Sequence, residues 1–135
     1  MGYAFILAGG AITWSSNRMP NVTFSSSESE YNGLTNAAKE AMWLRTFLSE
    51  LHLQPAAPMV IYGDNQAALS IARNQQYHTA TKHIAIKWHW IREVIESGDV
   101  QVQHMPTKDM TADIFTKGLE RIKHRHHVER LGLWP

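Results

Sequence analysis

The sequence predicts an α/β domain, a mixed sheet flanked by helices, from three observations. Two runs of strand-forming residues lie either side of Gly9-Gly10 near the start. From Tyr31 to Leu51 apolar residues recur every three or four positions, as one face of a long helix requires. Between Met59 and Leu69 an apolar run stops at an acid, Asp64, and helix formers follow at once.

Residues 2–7 read as a strand and Gly9-Gly10 as a tight turn. Residues 11–15 then return as the second strand of a hairpin. Pro20 lies in a loop over 17–21. Ser25-Ser26-Ser27 leads into the long helix. Ser27 fits the N-cap and Glu30 the N3 acid of a capping box. Tyr31, Leu34, Ala38, Ala41, Leu44 or Arg45, Leu48 and Leu51 form its apolar stripe. Pro55 and Pro58 close this region. Val60, Ile61 and Tyr62 are β-branched or aromatic, as strands prefer. Asn65 is a good N-cap for a helix carrying Ala67, Ala68, Leu69, Ile71 and Ala72.

A polar loop over 74–82 precedes a helix from about 84 to 96. Ile84, Trp88, Ile91 and Ile95 share one face of it, and Ser97-Gly98-Asp99 stops it. Residues 100–105 alternate as a half-buried strand does, and Pro106-Thr107 breaks them. A last helical region gathers Asp113, Ile114, Phe115, Leu119 and Ile122, with Thr111 or Asp109 as its cap. There is no internal repeat and no low-complexity linker.

At 135 residues the chain suits a single domain, 1–135, with a real core. Apolar residues make up 44% and charged residues 19%, which places it among globular chains. No apolar run approaches the roughly 20 residues of a membrane span. The start lacks the basic-then-apolar plan of a signal peptide. Without Cys there is neither a disulfide framework nor a thiolate metal site. The expected compartment is intracellular, cytoplasmic or nuclear. Net charge is only +1, yet Lys117, Arg121, Lys123, Arg125 and Arg130 crowd the last 20 residues. Such a cluster contacts phosphates or is a solvated helix face.

Three acids stand at element boundaries: Glu30 early in the long helix, Asp64 at a strand's end, Asp113 beyond Pro106. Carboxyl ends of strands in open α/β sheets are where ligands bind. If the three converged, their repulsion would call for a cation. An oxygen-only ligand set favours Mg²⁺ or Mn²⁺. Two such ions would activate a water and stabilise the leaving oxygen of a phosphodiester. Each acid also has a plain structural reading. Glu30 completes a capping box, Asp64 caps a helix, and Asp113 favours a helix N-terminus through the dipole. The residues alone leave both readings open.

Several blocks, in order, resemble the ribonuclease H domain that ends Ty/copia-type retrotransposon polyproteins. Gly2-Tyr3-Ala4-Phe5 with Ala11-Ile12-Thr13-Trp14-Ser15 resembles that family's opening hairpin. Ser25-Ser26-Ser27-Glu28-Ser29-Glu30-Tyr31 resembles its "SSTEAEY" block and Ala38-Lys39-Glu40-Ala41-Met42-Trp43-Leu44 its "AKEAVWL". Tyr62-Gly63-Asp64-Asn65-Gln66 resembles "YCDNQ". His78 with Thr81-Lys82-His83-Ile84 resembles "H…TKHI". Pro106-Thr107 and Ala112-Asp113-Ile114-Phe115-Thr116-Lys117 resemble "PT…ADIFTK".

The resemblance implies a ribonuclease H-like fold and Mg²⁺- or Mn²⁺-dependent cleavage of the RNA strand of an RNA–DNA hybrid. It makes Glu30, Asp64 and Asp113 metal-binding catalytic acids, with Glu30 preferred to Glu28 because Tyr31 follows it. It offers His104 as the mobile histidine near the leaving group. From the residues themselves, Lys82, His83 and Lys87 lie at a helix start where basic side chains oppose the dipole, so they either face phosphates or are solvated surface, and Lys117 is a further candidate nucleic-acid contact. The family also opens with a strand bearing a "DADWAG"-like block, absent before Gly2. By analogy that central strand lies between the hairpin and the Asp64 strand, and its Asp bridges both metals. Without it two strand edges are unpaired. A strand-donating partner or homodimer completes the sheet, or the hairpin pairs directly with the Asp64 strand, or the chain is a fragment of a longer polyprotein. The rival class is a catalytically inactive remnant that binds nucleic acid or protein. Asp99 and Asp109 are the spare acids nearest in sequence.

Trp88 fits the core stripe, whereas Trp90 lies on another face and is a candidate for stacking on a base or a partner. His124 and His127 share a helical face, but a structural zinc site wants four ligands, so an exposed basic helix end is the expectation.

Overall fold

The computed structural model describes residues 1–18, 26–53, 55–73 and 82–134, with the side chains of 26–28, 71, 73 and 82–84 outside that description. The elements run β1 (Gly2–Leu7), β2 (Gly10–Ser16), α1 (Ser26–Glu50), β3 (Met59–Gly63), α2 (Gln66–Arg73), α3 (Lys82–Glu96), β4 (Val100–His104), two 3₁₀ turns (Thr107–Asp109 and Thr111–Phe115) and α4 (Arg121–Arg130). The class is mixed α/β, as the sequence predicts. The expected single sheet is instead two separate pairs, β1 antiparallel to β2 and β3 parallel to β4. Pairing over long sequence separations is not encoded by local periodicity, which is why only the partners within the hairpin were legible. Among the described residues no helix is long and apolar enough to cross a membrane.

The chain divides into two compact units, Phe24–Met105 and Met1–Thr23 with Pro106–Pro135. In the first, α1 buries Tyr31, Leu34, Ala37, Ala38, Ala41 and Leu44 against α2, α3 and the parallel strands. Ile61, Ala68, Leu69, Trp88, Ile91, Val94, Val100 and Val102 complete the core. The stripe predicted for α1 ends early. Leu51 is exposed because the helix stops at Glu50 and His52 turns the chain at φ 59°. Gly98 stops α3 as expected, its N–H donating to Ile95 O.

In the second unit the hairpin turns on Ala8 and Gly9, both at positive φ, one residue before the expected Gly9-Gly10. That is the backbone of a type I′ turn, with an alanine where Asn or Gly is usual. The base of the hairpin rests on the second 3₁₀ turn, where Ser16 Oγ donates to Phe115 O at 2.7 Å. Its tip meets the end of α4, where Ala11 N donates to Leu131 O at 2.9 Å. The approach is close enough that a Cβ at Gly132 would lie 2.5 Å from Gly9 O, and Gly132 sits at φ 76°. Only glycine fits there without strain.

The last helical region differs from expectation. Residues 107–115 form two short turns separated by Met110 in extended conformation, and no side chain caps the second. Thr111 is buried rather than capping. Ile122 is exposed because it lies five residues, about 140° around the helix, from His127, which faces inward.

Candidate functional site

The strand–acid–helix junction forms as its residues suggest. β3 delivers Asp64 at its carboxyl end, and Asn65 Oδ1 accepts the Ala68 N–H at 3.1 Å. Asn65 is therefore the cap of α2, and Asp64 is not needed for that role. The parallel register sets Gly63 opposite His104, and Met105 N donates to Gly63 O at 2.9 Å. Asp64 and His104 thus share the carboxyl end of the β3–β4 pair. Asp64 is half-buried and His104 exposed.

Arg45 sets the direction of α1 against this pair. Its guanidinium donates to Ala57 O at 3.1 Å, just before β3, and pairs with Asp99 at 3.2 Å, just before β4. The C-terminal part of α1 therefore lies at the amino ends of the strands, so the helix runs antiparallel to them. From Arg45 back to Glu30 the helix rises about 22 Å. Glu30, which is exposed, is therefore on the part of α1 that leads away from the amino ends of the strands. The sequence placed Arg45 only as an alternative to Leu44 in the apolar stripe; its role as a clamp went unread. The same clamp disposes of Asp99 as a spare ligand. It is held at the opposite end of the strands from Asp64, where Ser97 Oγ also donates to it at 3.1 Å.

Asp113 belongs to the other unit, in the second 3₁₀ turn, and is half-buried. Lys117 Nζ pairs with its Oδ2 at 2.9 Å. One expected catalytic acid and one expected nucleic-acid contact are thus partners of each other. Asp109 lies in the same unit, its carbonyl accepting from Arg130 at 3.2 Å. The side chains of Lys82 and His83 fall outside the described residues, as do His78 and Thr81 entirely.

Among the described residues no three His, Asp or Glu side chains are gathered closely enough to hold a metal ion. The donor chemistry of Glu30 and Asp64 still suits Mg²⁺. That ion keeps several waters and commonly takes one or two carboxylates, with substrate phosphates completing its shell.

Two buried polar groups escaped the sequence reading. The Tyr31 hydroxyl and His127 Nδ1 have no hydrogen-bond partner among the described residues. Burial raises the Tyr31 hydroxyl well above the usual tyrosine range, with Arg92 opposing weakly. Burial, then His126 and Arg130, lower His127, with Asp113 and Asp109 opposing. Tyr31 stood in the α1 stripe, so its burial was legible although its unmet hydroxyl was not. For His127 the only signal was its helical offset from the charged face. Trp88 is buried edge-on to Tyr31 at 5.7 Å, and Trp90 is half-buried.

Comparison with known proteins adds the decisive observation. Over 98% of its length the chain is 39% identical to the "Retrovirus-related Pol polyprotein from transposon TNT 1-94" of Nicotiana tabacum. It is 37% identical, over the same share, to the corresponding polyproteins from transposons RE2 and RE1 of Arabidopsis thaliana. Its homologues are retrotransposon Pol polyproteins. The chain spans about a tenth of the length of these relatives, 10% of the first and 9% of each of the other two. No protein-family model matches it, and no solved structure does.

Proposed function

We propose that this retrotransposon-derived chain is a ribonuclease H-like domain that cleaves the RNA strand of RNA–DNA hybrids with divalent metal. The observation that supports the reading is that Asp64 follows β3 and His104 ends β4 at the same, carboxyl end of the parallel pair. Mg²⁺ or Mn²⁺, when bound, supplies an activated water and neutralises charge at the phosphodiester. Glu30 and Asp64 would hold the cation on their unit, and Asp113, in the other unit, is proposed as a further acid from the family resemblance alone. His104, exposed and at the strand end, would exchange a proton with the leaving oxygen in this reading. Lys82, His83 and Lys117 steady the hybrid through its backbone, which carries no base information.

The test is cleavage of a labelled RNA–DNA hybrid with and without Mg²⁺, beside Asp64→Asn. Metal-dependent cleavage that falls at least a hundredfold in the variant supports the reading. A folded protein that leaves the hybrid intact overturns it.

A second reading has its own support. Lys117 already neutralises Asp113, and no three-ligand metal cluster stands ready among the described residues. An inactive remnant that binds nucleic acid or protein accounts for both. A strand-donating partner or a second copy, pairing at an open strand edge, would belong to either reading; a mass measurement in solution tests for the second copy.

A further inference from the structure

α1 turns a second, smaller apolar stripe away from the core. Leu34, Ala38 and Ala41 face inward. Trp43 lies two residues, about 200° around the helix, from Ala41. Trp43 and Phe47 are 57% and 42% exposed. Their rings are 5.2 Å apart and within 6° of parallel, so they form one flat plate on the solvent side. Leu51 extends the plate by a turn. Its N–H donates to Phe47 O at 3.2 Å, and its side chain is exposed as well. The candidate site makes no use of these residues.

The two ends of this face carry opposite charge. Between Lys39 and Glu50, both exposed, the exposed residues of α1 are Trp43, Thr46 and Phe47. Lys39 and Glu50 are about three turns apart and so share the face. About 16 Å of helix separates them, too far for them to pair with each other. Glu40, on the flank, is half-buried and already engaged within the chain. The order cation, Trp43, Phe47, acid is complementary to itself when reversed. A second copy laid antiparallel, about a two-fold axis midway between residues 39 and 50, brings each Lys39 to the partner's Glu50 and meshes the aromatic plates. A parallel copy would set like charges opposite each other. The outward parts of Trp43, Phe47 and Leu51 offer roughly 300 Å² of apolar surface per copy. A standard interface takes about 800 Å² per partner, a little over half of it apolar. The face therefore suits a small, reversible dimer. It suits a polyanion poorly, since Glu50 offsets Lys39. It suits a membrane poorly too, since both charges and Thr46 interrupt the apolar stripe.

We propose that the outward face of α1 seats a second copy of this chain, antiparallel, through Trp43 and Phe47, with Lys39 and Glu50 fixing the direction. The contact is independent of the cleavage reading and would serve an active domain and an inactive one alike. It is also distinct from pairing at an open strand edge, because it joins helices.

The test is sedimentation velocity of the whole chain over roughly 1 μM to 1 mM, with circular dichroism to establish that each variant is folded. Neither metal nor nucleic acid is present, so the outcome does not depend on cleavage. The wild type should approach twice the chain mass as concentration rises. Trp43→Ala/Phe47→Ala should stay monomeric. Lys39→Glu and Glu50→Lys should each weaken pairing by at least about tenfold, because each sets like charges opposite each other. An equimolar mixture of those two variants should pair again, since one chain then supplies both acids and the other both cations. A wild type that stays monomeric throughout overturns the proposal. So does a dimer that Trp43→Ala/Phe47→Ala leaves intact, as one joined at a strand edge would be. A mixture of the charge variants that pairs no better than either alone overturns the antiparallel arrangement, and the proposal with it.

Discussion

Tyr31 follows the candidate acid Glu30, and its ring packs edge-on against Trp88 while its hydroxyl lacks a partner among the described residues. An unmet buried hydroxyl costs about 1–3 kcal/mol in lost hydration. Tyr31→Phe keeps the ring and removes that group, so urea unfolding should show equal or greater stability, by up to about 1 kcal/mol. A clear loss would mean that the hydroxyl has a role beyond packing. His127 poses the converse problem, since it is 3% exposed and its pKa is lowered chiefly by burial. The unfolded histidine titrates near 6.5. Between that value and the lower folded one, the unfolded chain binds a proton that the folded chain does not. Stability therefore falls as pH drops below about 6.5 and is fully present above it. Thermal unfolding at pH 7.5 and 5.5 should show a drop that His127→Leu diminishes.

At the scale of elements, the β3–α2 junction depends on Asn65. Its side chain satisfies one of the free N–H groups that open α2, an eight-residue helix with little stability of its own. Asn65→Ala should cost about 1 kcal/mol by denaturant unfolding. Hydrogen exchange should place the loosening at residues 66–73. If the reading of Asp64 as a metal ligand is sound, cleavage should fall more than this modest destabilisation explains, because the chain just after Asp64 loses its anchor. This junction was legible from the sequence because every signal was local: a β-branched run, an Asn cap, and alanines behind it. The hairpin and α1 were legible for the same reason. Leu51 and Ile122 were misread because periodicity continues past the residue at which a helix ends or turns its back on the core. The two 3₁₀ turns were misread because apolar spacing cannot show that Met110 is extended.

For the molecule as a whole, the site is legible only in part. The direction of α1 against the parallel strands follows from Arg45, whose partners Ala57 and Asp99 lie 12 and 54 positions further along the chain. Nothing local marks such an anchor. The two-sheet arrangement was hidden for the same reason. The uneven charge was visible in the sequence, but its coincidence with one compact unit became visible only with the fold. That division also bears on the order in which the molecule assembles. Residues 24–105 are continuous and hold their own core, so they emerge from a ribosome together and can condense at once. The hairpin precedes this stretch in the chain, yet the residues it packs on, around Phe115 and Leu131, follow it. An unstructured span of about 80 residues between them would cost about 4 kcal/mol in closure entropy. Early condensation of the middle shortens that span, so the hairpin gains its support only after residues 24–105 have drawn the two flanking segments together.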